Sequence, residues 1–287
     1  MFPDNELRRL DHTSMMIRDL DGLGAIAERV GFSLSPLMGA PDAVIENRLV
    51  AFEDEGLDFM TILKRGVLPG DLDGILDARE GLFCLIFRVD EKEKVVKAEE
   101  ALKTFGCETL LVEGGRPEVQ EDGTVVRPEW TMCGGYHPTM FFLRVCVCCH
   151  YDLDLFFRPE RKSHANGAIG TARIIAAARD LDHAEDMAAF LFGRDNLVTD
   201  DACIRARLDG DVIFEIFGPD ALRDAYETHV TFEGHDIYMV GQEIRVARLS
   251  VLSDHLEKNS IPYRILENGK LLIPPAVLGN VAWTFVE

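Results

Sequence analysis

The chain has 287 residues, 30 lysines and arginines against 50 aspartates and glutamates, and a formal net charge of −20. Hydrophobic residues make up 47% and charged residues 28%, a globular balance with ample material for a core. So acidic a surface repels phosphate backbones and anionic headgroups, which argues against nucleic acid and membrane as partners and for small molecules.

No apolar run approaches the ~18 residues of a membrane span, and the first residues, Met1-Phe2-Pro3-Asp4-Asn5-Glu6, show no signal-peptide pattern. Seven cysteines, three of them crowded at Cys146, Cys148 and Cys149, make a poor disulfide framework. They fit reduced thiols in a cytosol, so a cytoplasmic protein is expected.

In chain order, residues 10–17 form a short apolar run followed by Arg18-Asp19-Leu20-Asp21 and a helical stretch ending at Gly31. Aspartate can cap the free backbone N–H groups of a helix start, and glycine can end the helix. Residues 48–53 and 57–63 flank the turn Asp54-Glu55-Gly56 and read as a hairpin. A strand over 82–89, a helix over 91–105 stopped by Gly106, and strands near 109–113, 124–130 and 140–150 follow. Gly114-Gly115 and Gly134-Gly135 lie outside any strand-to-helix nucleotide-binding context and read as loops.

The same order then returns. Arg179-Asp180-Leu181-Asp182 repeats the earlier tetrapeptide roughly half a chain later, after the apolar run 171–178 and before a helix ending at Gly193. A second hairpin spans 202–208 and 212–217, and a strand within 237–246, a helix over 249–259 and strands at 262–266, 270–273 and 281–286 complete the copy. The chain therefore reads as four βαβ(β)β units in two pairs, an α+β protein. The polar segment 157–167 connects the halves, giving domains 1–160 and 161–287.

Alternation along the strand ending at His150 puts Arg144, Cys146, Cys148 and His150 on one face, and Val145, Val147 and Cys149 on the other. The first face is mixed like a cavity wall, the second suits packing under helices. Buried cysteines commonly serve as small hydrophobes, and Cys146-x-Cys148-Cys149-His150 on one extended strand cannot wrap a tetrahedral ion alone. Phe141, Phe142, Tyr151, Phe156 and Phe157 read as core and junction packing, or as the lining of a ligand mouth.

Four such modules in two pairs, with Leu10-Asp11-His12 opening the first strand, Arg158-Pro159-Glu160, and His164-Ala165-Asn166-Gly167-Ala168 near the midpoint, resemble the vicinal oxygen chelate superfamily, in particular its two-domain glyoxalase-like proteins. The resemblance implies βαβββ modules curled pairwise into two half-open barrels. It also implies a divalent ion (Zn, Fe, Mn or Ni) held by histidine and glutamate from first and last strands, and pairing between chains, hence a homodimer.

Carried onto this chain, the resemblance makes His12 and His150 the metal ligands of the first half. Aligning the halves sets Met60 against Glu215, so the carboxylate is missing there and Asp58 becomes the substitute third ligand. In the second half Arg173 stands at the position of His12, and Thr284 where glutamate is expected. Arg173 and Glu215 either hold a polar ligand or cofactor or form a buried ion pair. Neither half has a full His/His/Glu set. Two functions follow: metal-assisted lyase, isomerase or dioxygenase chemistry on a small oxygen-bearing molecule, or non-catalytic binding of a small molecule in a groove with degenerate metal sites.

Overall fold

The computed structural model describes residues 7–39, 43–68, 71–115, 117–120, 122–137, 144–232 and 235–287. The first module comprises β1 (Leu10–Met16), α1 (Leu20–Val30), β2 (Ile45–Ala51) and β3 (Gly56–Ile62). Its remaining strand is reduced to two isolated bridges, Leu34 to Val50 and Met38 to Asn47. After the short helix α2 (Leu72–Ala78), the second module runs β4 (Gly81–Arg88), α3 (Lys92–Phe105), β5 (Glu108–Gly115), the small ribbon β6 (Glu118–Val119) and β7 (Val125–Val126), β8 (Glu129–Tyr136) and β9 (Arg144–His150).

One turn of helix, α4 (Leu153–Phe156), leads into the second half. The third module there is β10 (Ala168–Ala178), α5 (Leu181–Phe192), β11 (Leu197–Thr199), β12 (Cys203–Arg207) and β13 (Ile213–Phe217). After α6 (Pro219–Tyr226), the fourth is β14 (Ile237–Val246), α7 (Leu249–Lys258), β15 (Arg264–Ile265), β16 (Leu271–Ile273) and β17 (Ala282–Val286).

The modules pair as the repeat requires. The first sheet has the order β2-β3-β1-β4-β9-β8-β5, the second β11-β12-β13-β10-β14-β17-β16-β15. In each, the first strands of two modules meet antiparallel at the centre (β1 with β4, β10 with β14), and the last strand of each module lies parallel beside its own first. The first sheet curls into a half-barrel, and the second repeats its strand order.

Local sequence explains the helices that follow the two central strands. Asp19 and Asp180 cap α1 and α5 by accepting backbone N–H groups, and Leu20, Leu23, Ala27 and Val30 place one stripe of α1 in the core. Gly31 ends α1 in the left-handed region (φ 105°, ψ 13°), whereas Gly193 pairs a positive φ with extended ψ.

Several sequence expectations change. The strand expected at 124–130 splits into β7 and β8, and helices α2 and α6 have no counterpart in the sequence reading. The strand expected from 140 starts at Arg144 among the described residues, and Phe141 and Phe142 lie outside them. The glycine pairs are not loops: Gly134 and Gly135 sit in β8 opposite Leu110 and Thr109, and Gly114 pairs with Trp130. A β-carbon at Gly135 would meet Leu102 of α3 at 2.8 Å, so glycine lets helix and strand approach.

One core joins the halves. It takes Met15, Leu57, Phe59, Leu85 and Val147 from the first sheet, Ile174, Ala176, Phe214, Ile244 and Phe285 from the second, and the buried stripes of the helices. Within it the Thr13 hydroxyl donates to Gln242 (2.8 Å), whose amide donates to the Thr171 hydroxyl (2.9 Å), so three fully buried polar side chains satisfy one another across the junction. The His164-Ala165-Asn166-Gly167 segment ties to α1: Ser33 N donates to His164 Nδ1 (3.0 Å), His164 Nε2 lies 3.1 Å from Ala51 O, and Asn166 N donates to Gly31 O.

Gly31 thus carries both a left-handed backbone and that junction, since a β-carbon there would lie 2.7 Å from Asn166 N. Gly31→Ala is expected to destabilise the protein by about 1–3 kcal/mol, read as a lowered midpoint in urea unfolding. An unchanged midpoint would mean that the junction yields freely.

Candidate functional site

The first barrel encloses a cavity of about 320 Å³. Apolar side chains such as Leu72, Phe83, Ile86, Leu110, Trp130 and Met132 form most of its wall, while His12, Ser14, Asp58, Cys146 and His150 gather polar atoms on the central strands. The expected alternation on β9 holds: Arg144, Cys146, Cys148 and His150 line the cavity, and Val145, Val147 and Cys149 join the core.

His12 and His150 meet. The register of β1 against β4 slips between Leu10 and His12, so Asp11 is an extra, bulged residue. The bulge brings its carboxylate behind the two imidazoles, where strict alternation would have turned it away. Asp11 Oδ2 lies 2.7 Å from His12 Nδ1 and 2.9 Å from His150 Nε2. An ionised carboxylate only accepts, so both nitrogens carry protons. His12 then presents Nε2 to the cavity, and His150 Nδ1 is a buried atom with no hydrogen-bond partner. Phe156 packs on both rings, with centroids at 5.7 and 4.3 Å.

Asp11 is fully buried, and Arg88 Nη1 adds charge 3.7 Å from its second oxygen. Burial alone would raise the Asp11 pKa, but the charges and hydrogen bonds of His150 and His12 hold it well below the usual carboxylate range. For His12, burial would lower the pKa, yet the hydrogen bond and charge of Asp11 raise it above the ordinary value.

Asp58 shares the cavity, but its oxygens are engaged: Asn47 Nδ2 donates to Oδ1 (2.6 Å), and Ser14 Oγ lies 3.5 Å from Oδ2. Strand register also corrects the alignment of the halves. Met16 pairs with Met60 as Ala177 pairs with Phe217, and Ser14 with Asp58 as Ile175 with Glu215. Asp58, not Met60, is therefore the counterpart of Glu215, and the carboxylate position of the first half is kept as an aspartate.

The donors do not fit a three-ligand metal centre. One nitrogen of each imidazole is taken by the Asp11 carboxylate, and Asp58 is held by Asn47. Among the described residues no three His, Cys, Asp or Glu side chains converge to share an ion. The expected set His12, His150 and Asp58 is thus brought to one cavity without forming a common coordination sphere.

In the second barrel Arg173 takes the place of His12, pairing with Ile213 where His12 pairs with Gly56. Its Nη1 donates to Glu215 (2.7 Å) and its Nε to Glu243 (3.0 Å). Arg205 reaches Glu215 (3.1 Å) and Asp200 (2.8 Å), Lys270 reaches Glu243 (2.5 Å), and Thr284 Oγ1 lies 3.4 Å from Glu243. Three cations and three carboxylates balance. Of the two alternatives for Arg173 and Glu215, the structure displays the ion pair, with the guanidinium lying between two carboxylates.

Sequence reasoning missed Asp11, whose bulge no pattern announces, and Asn47 and Ser14. It also missed Glu243 and Lys270. Glu243 had a signal, standing two residues from Gly241 and Arg245 on a strand whose alternate residues Gln242, Ile244 and Val246 are buried in the core direction. A further missed feature is a thiol contact, Cys84 Sγ to Cys146 Sγ at 3.4 Å. The hydrogen bond with Cys84 lowers the Cys146 pKa, helped by Arg144 and His12, while burial and the same contact push Cys84 up. All seven cysteines are free thiols.

With this geometry in place, comparison defines the class: the fold is that of the vicinal oxygen chelate superfamily. Solved structures similar over nearly the whole chain include a hypothetical protein from Staphylococcus aureus (TM-score 0.61, 12% identity, 97% of this chain and 98% of that one). A variant of 4-hydroxymandelate synthase from Streptomyces coelicolor matches at TM-score 0.60 with 10% identity, covering 98% and 92%. A variant of homoprotocatechuate 2,3-dioxygenase from B. fuscum matches at 0.59 with 14% identity, covering 99% and 73%. Residues 10–192 match the model of the glyoxalase-like domain, and the chain belongs to that family. No curated protein matches it.

Three outcomes test the site. Asp11→Ala leaves Arg88 as a buried cation without its carboxylate and is expected to cost about 3–5 kcal/mol in chemical unfolding. Because the Asp11 pKa is lowered on folding, its stabilisation is present above ~4, the unfolded value, and is lost as pH falls through the lower folded one. Because the His12 pKa is raised, its share is complete below the ordinary 6.5 and fades as pH rises through the folded value. Histidine NMR titration is therefore expected to place the His12 midpoint above 6.5. A midpoint below it would refute the Asp11 contact. Separately, brief labelling of the native protein with iodoacetamide is expected to mark Cys146 before Cys107, whose thiol burial raises to about 11. Peptide mass spectrometry showing Cys107 first would contradict the assigned thiol environment.

Proposed function

We propose that the first barrel binds a small oxygen-bearing molecule with a largely apolar body, without a metal ion as a required ligand, and that the second barrel is its scaffold. The observation that carries this reading is the contrast between the halves. The first has a cavity of about 320 Å³ with apolar walls and converging polar groups. In the second, the corresponding strand positions are joined in an ion-pair network around Arg173. Such a cavity with a few placed polar groups suits a small ligand. The chain is read as two domains, 1–160 and 161–287, a division supported by one large sheet falling in each. Free thiols and an acidic surface favour a reducing, cytosolic setting; among the described residues no helix is long and apolar enough to cross a membrane.

A second reading is catalytic, favoured by the Asp11–His12 pair. A buried carboxylate that fixes the tautomer and raises the basicity of an imidazole makes His12 Nε2 a general base facing the cavity. Proton abstraction from a bound oxygen acid or a carbon next to a carbonyl is the step this geometry supports. Similar structures carry the names of a synthase and dioxygenases, which supports chemistry on a small oxygenated molecule.

Thermal shift and calorimetry with small aromatic and dicarbonyl compounds, before and after chelation, test the proposal. A compound at ~100 times its Kd is expected to add ~2.7 kcal/mol in both preparations. Met132→Trp, which fills the cavity, is expected to weaken binding at least about tenfold. Binding lost on chelation and restored by iron, manganese, zinc or nickel would overturn the metal-independent reading. Turnover that disappears in His12→Gln while binding persists would establish the catalytic one.

A further inference from the structure

Arg144 opens β9 and is the one lysine or arginine among the described residues that line the cavity. Its guanidinium lies 4.8 Å over the ring of Tyr136, and its Nε and Nη2 are buried with no hydrogen-bond partner. It forms no ion pair among the described residues.

That isolation stands out in this molecule. Arg88 lies by Asp11, Arg161 by Glu118 and Arg173 between Glu215 and Glu243, while Arg79, which likewise stacks on a tyrosine, donates to Asn280 O (3.4 Å). Removing a guanidinium from water without a counter-charge is costly, and a protein keeps such a group where something else completes it. Neighbours on its face of the sheet supply no carboxylate. Cys84 is its partner in register across β4, Cys146 follows two residues later, and the charge of Asp71 reaches it only through space. The planar fork of N–H donors matches a carboxylate or another planar oxyanion.

The geometry points to Arg144 as an anion subsite: the cavity's ligand carries a carboxylate, or an oxyanion of like shape, that pairs with this guanidinium while its apolar body packs among Leu72, Phe83, Trp130 and Met132. This inference rests on the reading of the first barrel as a small-molecule site and names the charge of its occupant. Among the described residues the wall holds no other lysine or arginine to receive an organic anion. Asp58 and Glu108, both in the lining, repel an anion placed elsewhere. Arg144 therefore fixes orientation as well as affinity.

The test uses the full chain and a matched pair of probes, 2-naphthoate and its neutral analogue 2-naphthamide, titrated calorimetrically. Naphthoate is expected to bind the wild type at least about tenfold more tightly than the amide. In Arg144→Gln the preference is expected to vanish while the amide keeps its affinity, and in Arg144→Lys part of it returns. The wild-type preference needs no variant, and its decline with added salt gives a readout that survives if Arg144→Gln does not fold. Equal binding of acid and amide would overturn the anion subsite, leave the cavity reading standing and assign the Arg144 charge to Cys146. Binding of neither would remove both. A preference unchanged in a folded Arg144→Gln protein would locate the anion elsewhere and also refute the inference.

Discussion

The Asp11 carboxylate is the constraint around which the first barrel is arranged. It is buried from solvent and balanced by Arg88, and one of its oxygens is shared by two imidazoles from opposite ends of the half. Through it, β1 and β9 are held together behind the cavity although β4 lies between them. The tautomers of both imidazoles follow from that contact, and Phe156 packs on both rings. Remove the bulge and Asp11 would turn into the core, leaving the imidazoles without a common acceptor.

The second barrel solves the same electrostatic problem differently. At the position of His12 it carries Arg173, and the carboxylates on neighbouring strands close around the guanidinium. A covalently attached cation needs no site for an ion from solution and leaves less room for a ligand. The two halves therefore share backbone topology and differ in what fills the concave face, as expected where one fold hosts unlike sites.

Much of this was legible in the sequence because it depends on periodicity and on repetition. The tetrapeptides at Arg18 and Arg179, the aspartate caps and the two acidic hairpin turns mark the modules, and alternation on β9 correctly divides cavity from core. Less legible were features set by interruption. The bulge at Asp11 changes which face a side chain takes, and nothing in Leu10-Asp11-His12 signals it. The two-residue slip that aligned Met60 with Glu215 came from matching phenylalanines, Phe59 with Phe214, where the true register is fixed by parallel pairing with β1 and β10. Gly134 and Gly135 looked like a loop because glycine weakens a strand, yet here it admits the α3 side chain of Leu102. Arg144 was read as part of a polar face; that it has no carboxylate partner among the described residues only the assembled neighbours disclose.

Strand β1 serves two masters on its two sides. His12 and Ser14 face the cavity, while Thr13 bonds to Gln242 of the other half and Met15 packs in the common core. A change of ligand that required moving this strand would disturb the seam between the halves. The opposite wall is under no such obligation: Leu110, Val112, Trp130 and Met132 stand on β5 and β8, at the free margin of the sheet, with α3 behind them. For the ligand proposed here, diversification of what the pocket accepts would be channelled to that margin, with the polar end held constant and the hydrophobic end free to vary.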